Sequence, residues 1–507
     1  MANEAPYAFS RLKRSLTYFA TGKSAAALLA LANFTLVVQL LPVREYAAYA
    51  SILATVELAI NFSTFGLDWA GMRYLPELRE HGNHAGLLRL MRRLLLYRFA
   101  SLAAVALIGA AVLHWALGQA QLEAFAPVAK IYLCVMVIDG MLRFILGVAF
   151  DSLLLQGYSQ VSLLIRNAIF AAVVAAAPAG ANIHDVAHAD LMAACGALFV
   201  AAVLLLSHLR AGSREQAPAK LPPTPDARRM RRMAMHNYLS MLLNLPYSPQ
   251  ALLLLAGWFL PLETTAVLGF ARNFTELVRR YQPVEMLLGF VRPLLISTYA
   301  RGRDFAALTR MSQLIYKISL LTLCPVLVMC TAYGDELIDV LTKHKYPQAY
   351  CLVVGLTWTL VLRSHRLLVG TMANILDRPE LLTRTSTATL AVVPICAAGF
   401  SLGFGPLTMF VSSCVEETLG TWIIVGGMRA QGYAYAPPWT AMLRIALISA
   451  GLAGLLAAAR LLEPSLVWQA VQVLGAATGV VGLAFACGYF DAPERSTLRS
   501  FARRGAA

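Results

Sequence analysis

Charged side chains share one face of a predicted membrane helix near the middle of the chain. Arg272, Glu276 and Arg279 follow one another at i, i+4 and i+7, and Pro283 continues the face at i+11. A charge at the centre of a spanning helix costs about 2.5–3.5 kcal/mol, so this face must line protein or water. Because a guanidinium group matches phosphate oxygens, the arginines are candidate ligands for an anionic head group. Pairing of Glu276 with Arg279 or Arg280 is the alternative.

Two other predicted helices carry charges near their centres. Asp139 and Arg143 form an i, i+4 pair with the acid first, the favourable order for self-neutralisation, and Arg143 is also a candidate for a cationic cavity. Glu57 is alone near mid-span, so it needs a partner or a proton and is a candidate coupling site. Six further ionisable residues can be explained by a position near the head groups, where long side chains reach water: Lys317, Arg363, His365, Arg366, Glu416 and Glu417.

Long apolar segments must position these charges. Of the 507 residues, 59% are hydrophobic and only 14% are charged, whereas a soluble domain carries about a quarter charged residues. Apolar blocks of about 20 residues are typical of membrane-spanning helices. The sequence therefore predicts an all-α membrane protein with about fourteen transmembrane helices. The predicted spans are 20–41, 46–66, 94–117, 127–150, 163–181, 189–209, 238–260, 264–298, 312–332, 347–369, 385–402, 406–428, 441–461 and 467–488.

The net charge of +15 has a membrane explanation. The basic residues concentrate in alternate connections, which the positive-inside rule assigns to the cytoplasm together with both termini. A basic groove with interleaved aromatic residues is absent from the sequence, which excludes nucleic acid as the partner. The segment 210–236, rich in proline and arginine, is predicted to be a cytoplasmic linker.

An internal repeat appears when residue n is compared with residue n+219. Leu41-Pro42 then matches Leu260-Pro261, Glu57 matches Glu276, and Arg73 matches Arg292. The register predicts a parallel duplication, in which helices 1–2 and 7–8 occupy equivalent positions in two bundles. Arg73 and Arg292 complete the set of candidate residues for a cationic cavity.

Motifs of enzymes and of metal proteins are absent from the sequence. It contains neither a P-loop nor G-x-S-x-G, and its eight cysteines show no spacing suited to metal ligands. The predicted loops are too short for a catalytic domain. We therefore expect no enzymatic activity, no cofactor and no metal, and transport driven by gradients or by the membrane potential.

Several local motifs resemble a known family. Residues 40–49 (LLPVREYAAY), 65–67 (FGL) and Arg73 are similar to the first two helices of polysaccharide-transporter flippases, which include O-antigen and exopolysaccharide-repeat flippases of the multidrug/oligosaccharidyl-lipid/polysaccharide superfamily. Residues 334–337 (GDEL) through 345–349 resemble the external turn before the family's tenth span. Ala47 stands where the family usually has glycine. The resemblance covers most of the chain in topology.

The resemblance implies two pseudo-symmetric six-helix bundles around a cationic central cavity, with two additional C-terminal helices. In related lipid II flippases these helices form a groove for the lipid tail. The implied divisions are 1–209 and 237–430 for the bundles, 210–236 for the linker, and 431–507 for helices 13–14 and a basic tail.

The function implied is translocation of undecaprenyl-pyrophosphate-linked oligosaccharide repeat units from the cytoplasmic to the periplasmic leaflet of the bacterial inner membrane, by alternating access. The expected partners are this lipid-linked oligosaccharide, membrane lipids, and the polysaccharide polymerase and export machinery. Three alternatives stay open: a drug or cation antiporter on the same scaffold, a membrane polymerase or ligase acting on lipid-linked sugars, and a non-transporting subunit of an export complex.

Overall fold

A computed structural model describes most of the chain. The described residues are 9–80, 84–119, 123–153, 155–177, 180–212, 235, 238–282, 284–285, 295, 299, 304–376, 378–460 and 466–496. Arg292, Pro283 and nearly all of the predicted linker 210–236 lie outside them, as does the side chain of Arg73. By its internal contacts the chain forms two compact units, Met1–Ala266 and Val267–Ala507.

The first unit is built from eight helices in the part that the structure describes. They are α1 (Phe9–Leu40), α2 (Val43–Phe62), α3 (Leu67–Glu80), α4 (His84–Gln119), α5 (Ala126–Phe144, continued by a π-helical turn at Ile145–Phe150), α6 (Gln156–Ala175), α7 (Ile183–Gly212) and α8 (Pro249–Phe259). Helix α8 packs against α2 within this unit. Residues 237–266, which the sequence assigned to the second bundle, are therefore part of the first compact unit.

The second unit follows the same all-helical plan. Its described helices are α9 (Leu262–Arg280, which begins at the end of the first unit), α10 (Phe305–Thr342), α11 (Tyr350–Ile375), α12 (Pro379–Thr389), α13 (Val392–Ser401), α14 (Leu407–Ala430), α15 (Trp439–Arg460) and α16 (Leu466–Ala486). Helices α15 and α16 pack along α10, where residues such as Leu320, Val328, Ile445 and Val480 form one buried core. The two C-terminal helices thus share the core of the second unit.

Each of the fourteen predicted spans contains a described helix, which confirms the all-α membrane architecture. Among the described residues, ten helices are long and apolar enough to cross a membrane, and α2 with the start of α3 forms an eleventh candidate bent by 56°. Helices α9 and α14 are not among them, because their charged side chains lower the hydropathy of the segment. These two helices carry much of the charge discussed below.

The helix boundaries repeat at the offset that the sequence predicted. Helix α1 ends at Leu40 and α8 at Phe259, while α2 begins at Val43 and α9 at Leu262. Both pairs are offset by 219 residues. This agreement supports the internal duplication.

The connection after α2 differs from the single predicted span 46–66. Helix α2 ends at Phe62, and a turn with positive φ at Phe65 (+44°) and Gly66 (+73°) leads into α3, a helix that the sequence analysis did not predict. The buried Arg98 caps this end: its guanidinium donates to the carbonyl of Ile60 and to Oγ of Ser63, both at 3.1 Å. The last carbonyl groups of a helix have no hydrogen-bond donor within the helix, and an arginine that donates to them replaces the missing bonds.

Helix α10 is much longer than its predicted span 312–332. It continues through residues 334–337, where the sequence predicted an external turn, and the described turn begins at Lys343, which has φ +51°. The helix kinks at Tyr333 (φ −127°, ψ +18°). The helix continues past the kink although two acidic residues follow it, because Arg460 pairs with both. The distances are 2.6 Å to Asp335 and 3.0 Å to Glu336. The turn therefore occupies the later part of the implied range 334–349, and residues 334–337 belong to α10.

Candidate functional site: two intramembrane charge clusters

A first charge cluster lies within the first unit and consists of Tyr132, Asp139, Arg143, Arg166 and Asp190. Nε of Arg143 donates to Oδ2 of Asp139 at 2.7 Å, as the i, i+4 spacing predicted. Nη2 of Arg166, on α6, lies 3.1 Å from the other oxygen of Asp139 and 3.9 Å from Oδ1 of Asp190. The hydroxyl of Tyr132 donates to Oδ2 of Asp190 at 2.8 Å. One carboxylate therefore holds two guanidinium groups.

The first cluster lies near the middle of the helices that carry it. Arg166 is ten residues from the start of α6, which is about 15 Å at 1.5 Å per residue, and Asp139 is about 20 Å along α5. Ionised groups at such a depth must face protein or water, because contact with lipid tails would be too costly.

The acids and bases of the first cluster differ in accessibility. The side chains of Asp139 and Asp190 are 3% and 12% exposed, whereas those of Arg143 and Arg166 are 41% and 26% exposed. The carboxylates are thus more buried than the guanidinium groups, which remain partly exposed. Such an arrangement anchors cations inside a membrane domain by carboxylates that are themselves buried.

Glu57 has a polar partner in the first unit. Nε2 of Gln250, on α8, donates to Oε2 of Glu57 at 3.0 Å. The sequence placed Glu57 alone at mid-span and required a partner or a proton. The partner comes from a residue 193 positions away in the chain, so the contact depends on packing of α8 against α2.

A second charge cluster runs across α9, α11 and α14 in the second unit. Arg279 pairs with both oxygens of Glu276 and, at 2.7 Å, with Glu285. Further contacts extend the chain of ion pairs: Arg280–Glu276 at 3.3 Å, Arg363–Glu285 at 3.8 Å, Arg363–Glu417 at 3.5 Å, Arg366–Glu417 at 3.4 Å and Arg366–Glu416 at 2.8 Å. The cluster contains four arginines and four glutamates, and its formal charge is zero.

The second cluster changes the interpretation of α9. Arg279 is held by two carboxylates, which is the internal pairing that the sequence analysis kept as the alternative to substrate binding. Glu276 is occupied in the same way by Arg279 and Arg280. The sequence analysis explained Arg363 and Arg366 by a position near the head groups. In the structure both pair with the buried Glu417. We therefore assign the second cluster to the stability of the unit.

Gly420 gives Arg366 its place beside α14. A Cβ atom at Gly420 would lie 2.7 Å from Nε of Arg366, so the guanidinium group occupies the space that a side chain would fill. A Cβ atom at this position would force the guanidinium group of Arg366 to shift. The position of Gly420, four residues after Glu416, brings Arg366 onto the face of α14 that carries the glutamate.

Three further predicted site residues are Arg272, Arg73 and Arg292. Arg272 is only 4% exposed, and its Nη1 donates to Oδ1 of the adjacent Asn273 at 2.9 Å. Arg73 lies on α3, and Arg292 lies outside the described residues. Within the ranges described, no group of three or more His, Cys, Asp or Glu side chains has the arrangement of a metal site.

Sequence reasoning missed Arg166, Asp190 and Arg98. Each contacts charged or polar partners on another helix, so no i, i+3 or i, i+4 spacing reveals the contact. The available signal was an ionisable residue within an apolar run, which should have placed Arg166 and Asp190 among the candidates.

A family comparison decides the classification. The family model described as "Polysaccharide biosynthesis protein" matches residues 12–295, which is more than half of the chain. The chain belongs to this family. No curated protein matches this polysaccharide biosynthesis family member in sequence.

Solved structures show which fold this family member has. The lipid II flippase MurJ in an inward closed conformation matches with a TM-score of 0.64 and 11% identity, covering 93% of this chain and 98% of that one. An inward-facing multidrug resistance MATE transporter of the MOP superfamily gives 0.60 at 12% identity, covering 81% and 96%. The MATE transporter VcmN of Vibrio cholerae in its bent form gives 0.55 at 15% identity, covering 84% and 99%. The polysaccharide biosynthesis family member thus has the fold shared by MurJ and MATE transporters.

Proposed function

We propose that the protein is a flippase for lipid-linked oligosaccharides. Its substrate would be an oligosaccharide repeat unit on undecaprenyl pyrophosphate, moved from the cytoplasmic to the periplasmic leaflet of a bacterial inner membrane. The observation that carries the proposal is the first charge cluster, in which partly exposed guanidinium groups and buried carboxylates lie near the middle of apolar helices. Membership of the polysaccharide biosynthesis family and a fold shared with the flippase MurJ support it.

The proposed substrate needs polar partners of this kind inside the membrane. The pyrophosphate and sugars of such a lipid cannot enter hydrocarbon, so a carrier must offer them polar partners inside the membrane. The fork of arginine donors matches phosphate oxygens. With the cell interior negative, outward movement of an anion is downhill by about 2.3 kcal/mol per charge per 100 mV.

Individual residues receive different roles in this proposal. We assign Arg143 to the substrate head group and keep Arg272, a buried cation on α9, as a second candidate contact. Arg279 and Glu276 are assigned to the structure. Arg73 and Arg292 remain predicted substrate contacts, and Asp139 and Glu57 remain candidates for coupling or ion pairing.

Transport would proceed by alternating access, in which the two halves of a duplicated fold open the site to one leaflet at a time. Both termini would lie in the cytoplasm, as the positive-inside pattern predicts. A polymerase and export machinery would receive the repeat units on the periplasmic side.

The drug or cation antiporter is the alternative with a specific observation in its favour, because MATE transporters share the fold. An excess of intramembrane arginines over acids would favour the flippase over a carrier of cations. In the two described clusters, however, arginines and carboxylates are equal in number, two of each in the first and four of each in the second. The ratio of arginines to carboxylates therefore does not distinguish the flippase from the antiporter, and an experiment is needed to do so.

Depletion of the protein in its native bacterium is expected to stop surface or exopolysaccharide production and to leave lipid-linked repeat units on the cytoplasmic leaflet. The measurement is the protection of the accumulated sugar from a membrane-impermeant glycosidase or lectin in intact spheroplasts. Re-expression of the wild-type chain should restore polymer and remove the accumulated lipid.

Other outcomes would assign the protein elsewhere. Accumulation of repeat units accessible from the periplasmic side would indicate a polymerase or ligase. Unchanged polymer with increased sensitivity to cationic drugs would indicate the antiporter. Either result would contradict the flippase proposal.

A further inference from the structure

We propose that one exposed face of α4 is a docking surface for acidic phospholipids of the surrounding bilayer. The surface, which we call the α4 basic face, consists of five exposed residues: Arg89, Arg92, Arg93, Leu96 and Tyr97. The arginines would bind the phosphate of a lipid head group, and the two residues after them would contact its acyl chains. The proposal concerns the outer surface of the first unit, so it is separate from the interior charge clusters and from the proposed transport substrate.

Packing of the opposite side of α4 fixes the direction in which the basic face points. Leu87, Met91, Leu94 and Arg98 follow one another at i, i+4, i+7 and i+11, and none of them is more than 3% exposed. The three apolar members belong to the buried core of the first unit, where α4 packs against α3 and α5. Residues at this spacing occupy one side of a helix, so the basic face lies on the other side and points away from the protein.

Two exposed aromatic residues indicate the depth of α4 in the membrane. Tyr97 is 62% exposed and Trp115 is 70% exposed. They are 18 residues apart, which corresponds to about 27 Å along a helix, close to the ~30 Å thickness of the hydrocarbon core. Tyrosine and tryptophan concentrate at the two boundaries of that core. The helix between them therefore crosses the hydrocarbon, and only 11% of the most apolar stretch of α4 is buried inside the protein.

The arginines lie just outside the boundary that Tyr97 marks. Arg93 precedes Tyr97 by four residues and Arg92 by five, so they are about 6 and 7.5 Å further along the helix axis. A bilayer of about 40–45 Å with a hydrocarbon core of about 30 Å has a polar layer of about 5–7.5 Å on each side. The two guanidinium groups are therefore at the level of the lipid phosphates. In the orientation that the positive-inside pattern predicts, this is the cytoplasmic leaflet.

The arginines of the α4 basic face have few partners within the protein. Nε of Arg89 donates to the carbonyl of Ala85 at 3.3 Å. Arg89, Arg92 and Arg93 form no ion pair with any side chain that the structure describes. Cations three and four residues apart on a helix repel one another, and an anion between them offsets this repulsion. Guanidinium donors match the oxygens of a phosphate group in particular.

The apolar half of the face favours a phospholipid over an acidic protein as the partner. Leu96 is 56% exposed and lies about one helical turn from Arg92 and Arg93, on the hydrocarbon side of them. A phospholipid presents an anionic phosphate and then acyl chains in the same order along the membrane normal. An acidic protein in the aqueous phase could cover the arginines but would leave Leu96 and Tyr97 uncovered.

Lipid binding at the α4 basic face has a structural consequence inside the first unit. Arg98 follows Arg93 by five residues on the buried side of α4, and its guanidinium donates to the carbonyl of Ile60 and to Oγ of Ser63 at the end of α2. A lipid that holds the start of α4 therefore also stabilises the connection between α2 and α3. We expect the protein to be more resistant to unfolding in acidic lipid than in zwitterionic lipid.

Native mass spectrometry of the purified full-length protein in detergent tests the binding. The probe is phosphatidylglycerol, and phosphatidylcholine is the zwitterionic reference. The wild type is expected to bind phosphatidylglycerol more tightly than phosphatidylcholine. Arg92→Gln/Arg93→Gln should weaken phosphatidylglycerol binding by about tenfold or more, because two cations that attract the anionic head group are lost. Arg92→Lys/Arg93→Lys keeps both charges and should retain most of the binding.

Arg310→Gln/Arg378→Gln is the matched control, because it removes the same charge from the second unit. Arg310 is 69% exposed and lies 3.9 Å from Asp304, and Arg378 is 45% exposed and lies 3.5 Å from Glu380. Each of these arginines already has a carboxylate beside it. The control variant is therefore expected to bind phosphatidylglycerol as the wild type does.

The unfolding midpoint in lipid nanodiscs provides a second measurement. Phosphatidylglycerol should raise the midpoint of the wild type above its value in phosphatidylcholine, and Arg92→Gln/Arg93→Gln should lose this gain while matching the wild type in phosphatidylcholine. A midpoint below that of the wild type in phosphatidylcholine would show that the two arginines act within the protein, and would overturn the proposal.

Three binding results would also overturn the proposal. The first is equal binding of the two phospholipids by the wild type. The second is wild-type affinity for phosphatidylglycerol in Arg92→Gln/Arg93→Gln, or an equal loss in the control variant. The third is displacement of phosphatidylglycerol by a polyprenyl-pyrophosphate-linked sugar at a lower concentration than by phosphatidylglycerol itself, which would assign the face to the transport substrate.

Discussion

Arg366→Leu is expected to destabilise the protein by about 3–5 kcal/mol, the usual cost of removing one partner from a buried ion pair. The buried carboxylate of Glu416 lies at the end of the second cluster, 2.8 Å from Nη1 of Arg366. Glu417 would keep Arg363 at 3.5 Å, but Glu416 has no other ion pair in the described part of the chain. The substitution thus leaves a carboxylate buried without its cation.

The reverse substitution should cost less. Glu416→Leu leaves Arg366 within 3.4 Å of Glu417, so the guanidinium group keeps a carboxylate. The double variant Arg366→Leu/Glu416→Leu removes both members of the terminal pair and should recover most of the stability lost in Arg366→Leu. The two single variants are expected to differ in this way only if the ion pairs of the second cluster are arranged as described above.

Thermal unfolding of detergent-purified protein, followed by fluorescence-detected size-exclusion chromatography, measures these effects. Arg310→Leu is the control, because its side chain is 69% exposed and lies 3.9 Å from Asp304, and exposed pairs contribute little. Strictly additive effects in the double variant would show that Arg366 and Glu416 are not coupled.

The helices could be predicted from the sequence because the membrane leaves few alternatives. Apolar blocks must satisfy their backbone groups internally, so each such block predicted a helix, and the structure places a helix in every one. The helix ends were predicted less accurately, because polar residues that suggest the end of a helix can instead pair with residues on another helix. The resemblance implied a turn at Asp335 and Glu336, but both lie inside α10, where Arg460 on α15 pairs with them.

The candidate site was predictable only where both partners lie on one helix. The pairs Asp139–Arg143 and Glu276–Arg279 follow from their spacing along the chain. The contact between Asp139 and Arg166 depends on how α5 and α6 meet, and spacing along one helix cannot show it. The contact between Arg279 and Glu285 is likewise not visible in the helical spacing, because Glu285 follows the end of α9.

The two charge clusters are both formally neutral, and both contain acids that are more buried than their bases. Asp139 is 3% exposed beside Arg143 at 41%, and Glu417 is 5% exposed beside Arg363 at 34%. Arginine alone is therefore a poor indicator of substrate binding in a membrane helix, and its exposure relative to its carboxylate does not by itself separate a ligand site from a network of ion pairs.

Cohesion of the C-terminal helices depends on one buried lysine. Nζ of Lys317, on α10, lies 2.8 and 2.9 Å from the two oxygens of Glu494, in the segment that follows α16, and the lysine side chain is only 6% exposed. The hydroxyl of Tyr489 donates to the carbonyl of the same lysine at 3.0 Å. These contacts fasten the end of α16 to α10, while Arg460 fastens the end of α15 to α10 beyond the kink at Tyr333.

Glu494→Ala is expected to destabilise the protein by about 3–5 kcal/mol, because a buried ammonium group loses its bidentate partner. Asp491→Ala is the matched control: Asp491 contacts the same lysine at 3.6 Å, but its side chain is 71% exposed, so its loss should change stability little. Lys317→Met in the Glu494→Ala background should restore most of the stability, since an apolar side chain of similar length then fills the buried position. The readout is the unfolding midpoint together with protease cleavage after α16, which measures detachment of that segment. Equal destabilisation by Asp491→Ala and Glu494→Ala, or failure of Lys317→Met to rescue, would show that burial of the lysine is not what makes Glu494 necessary.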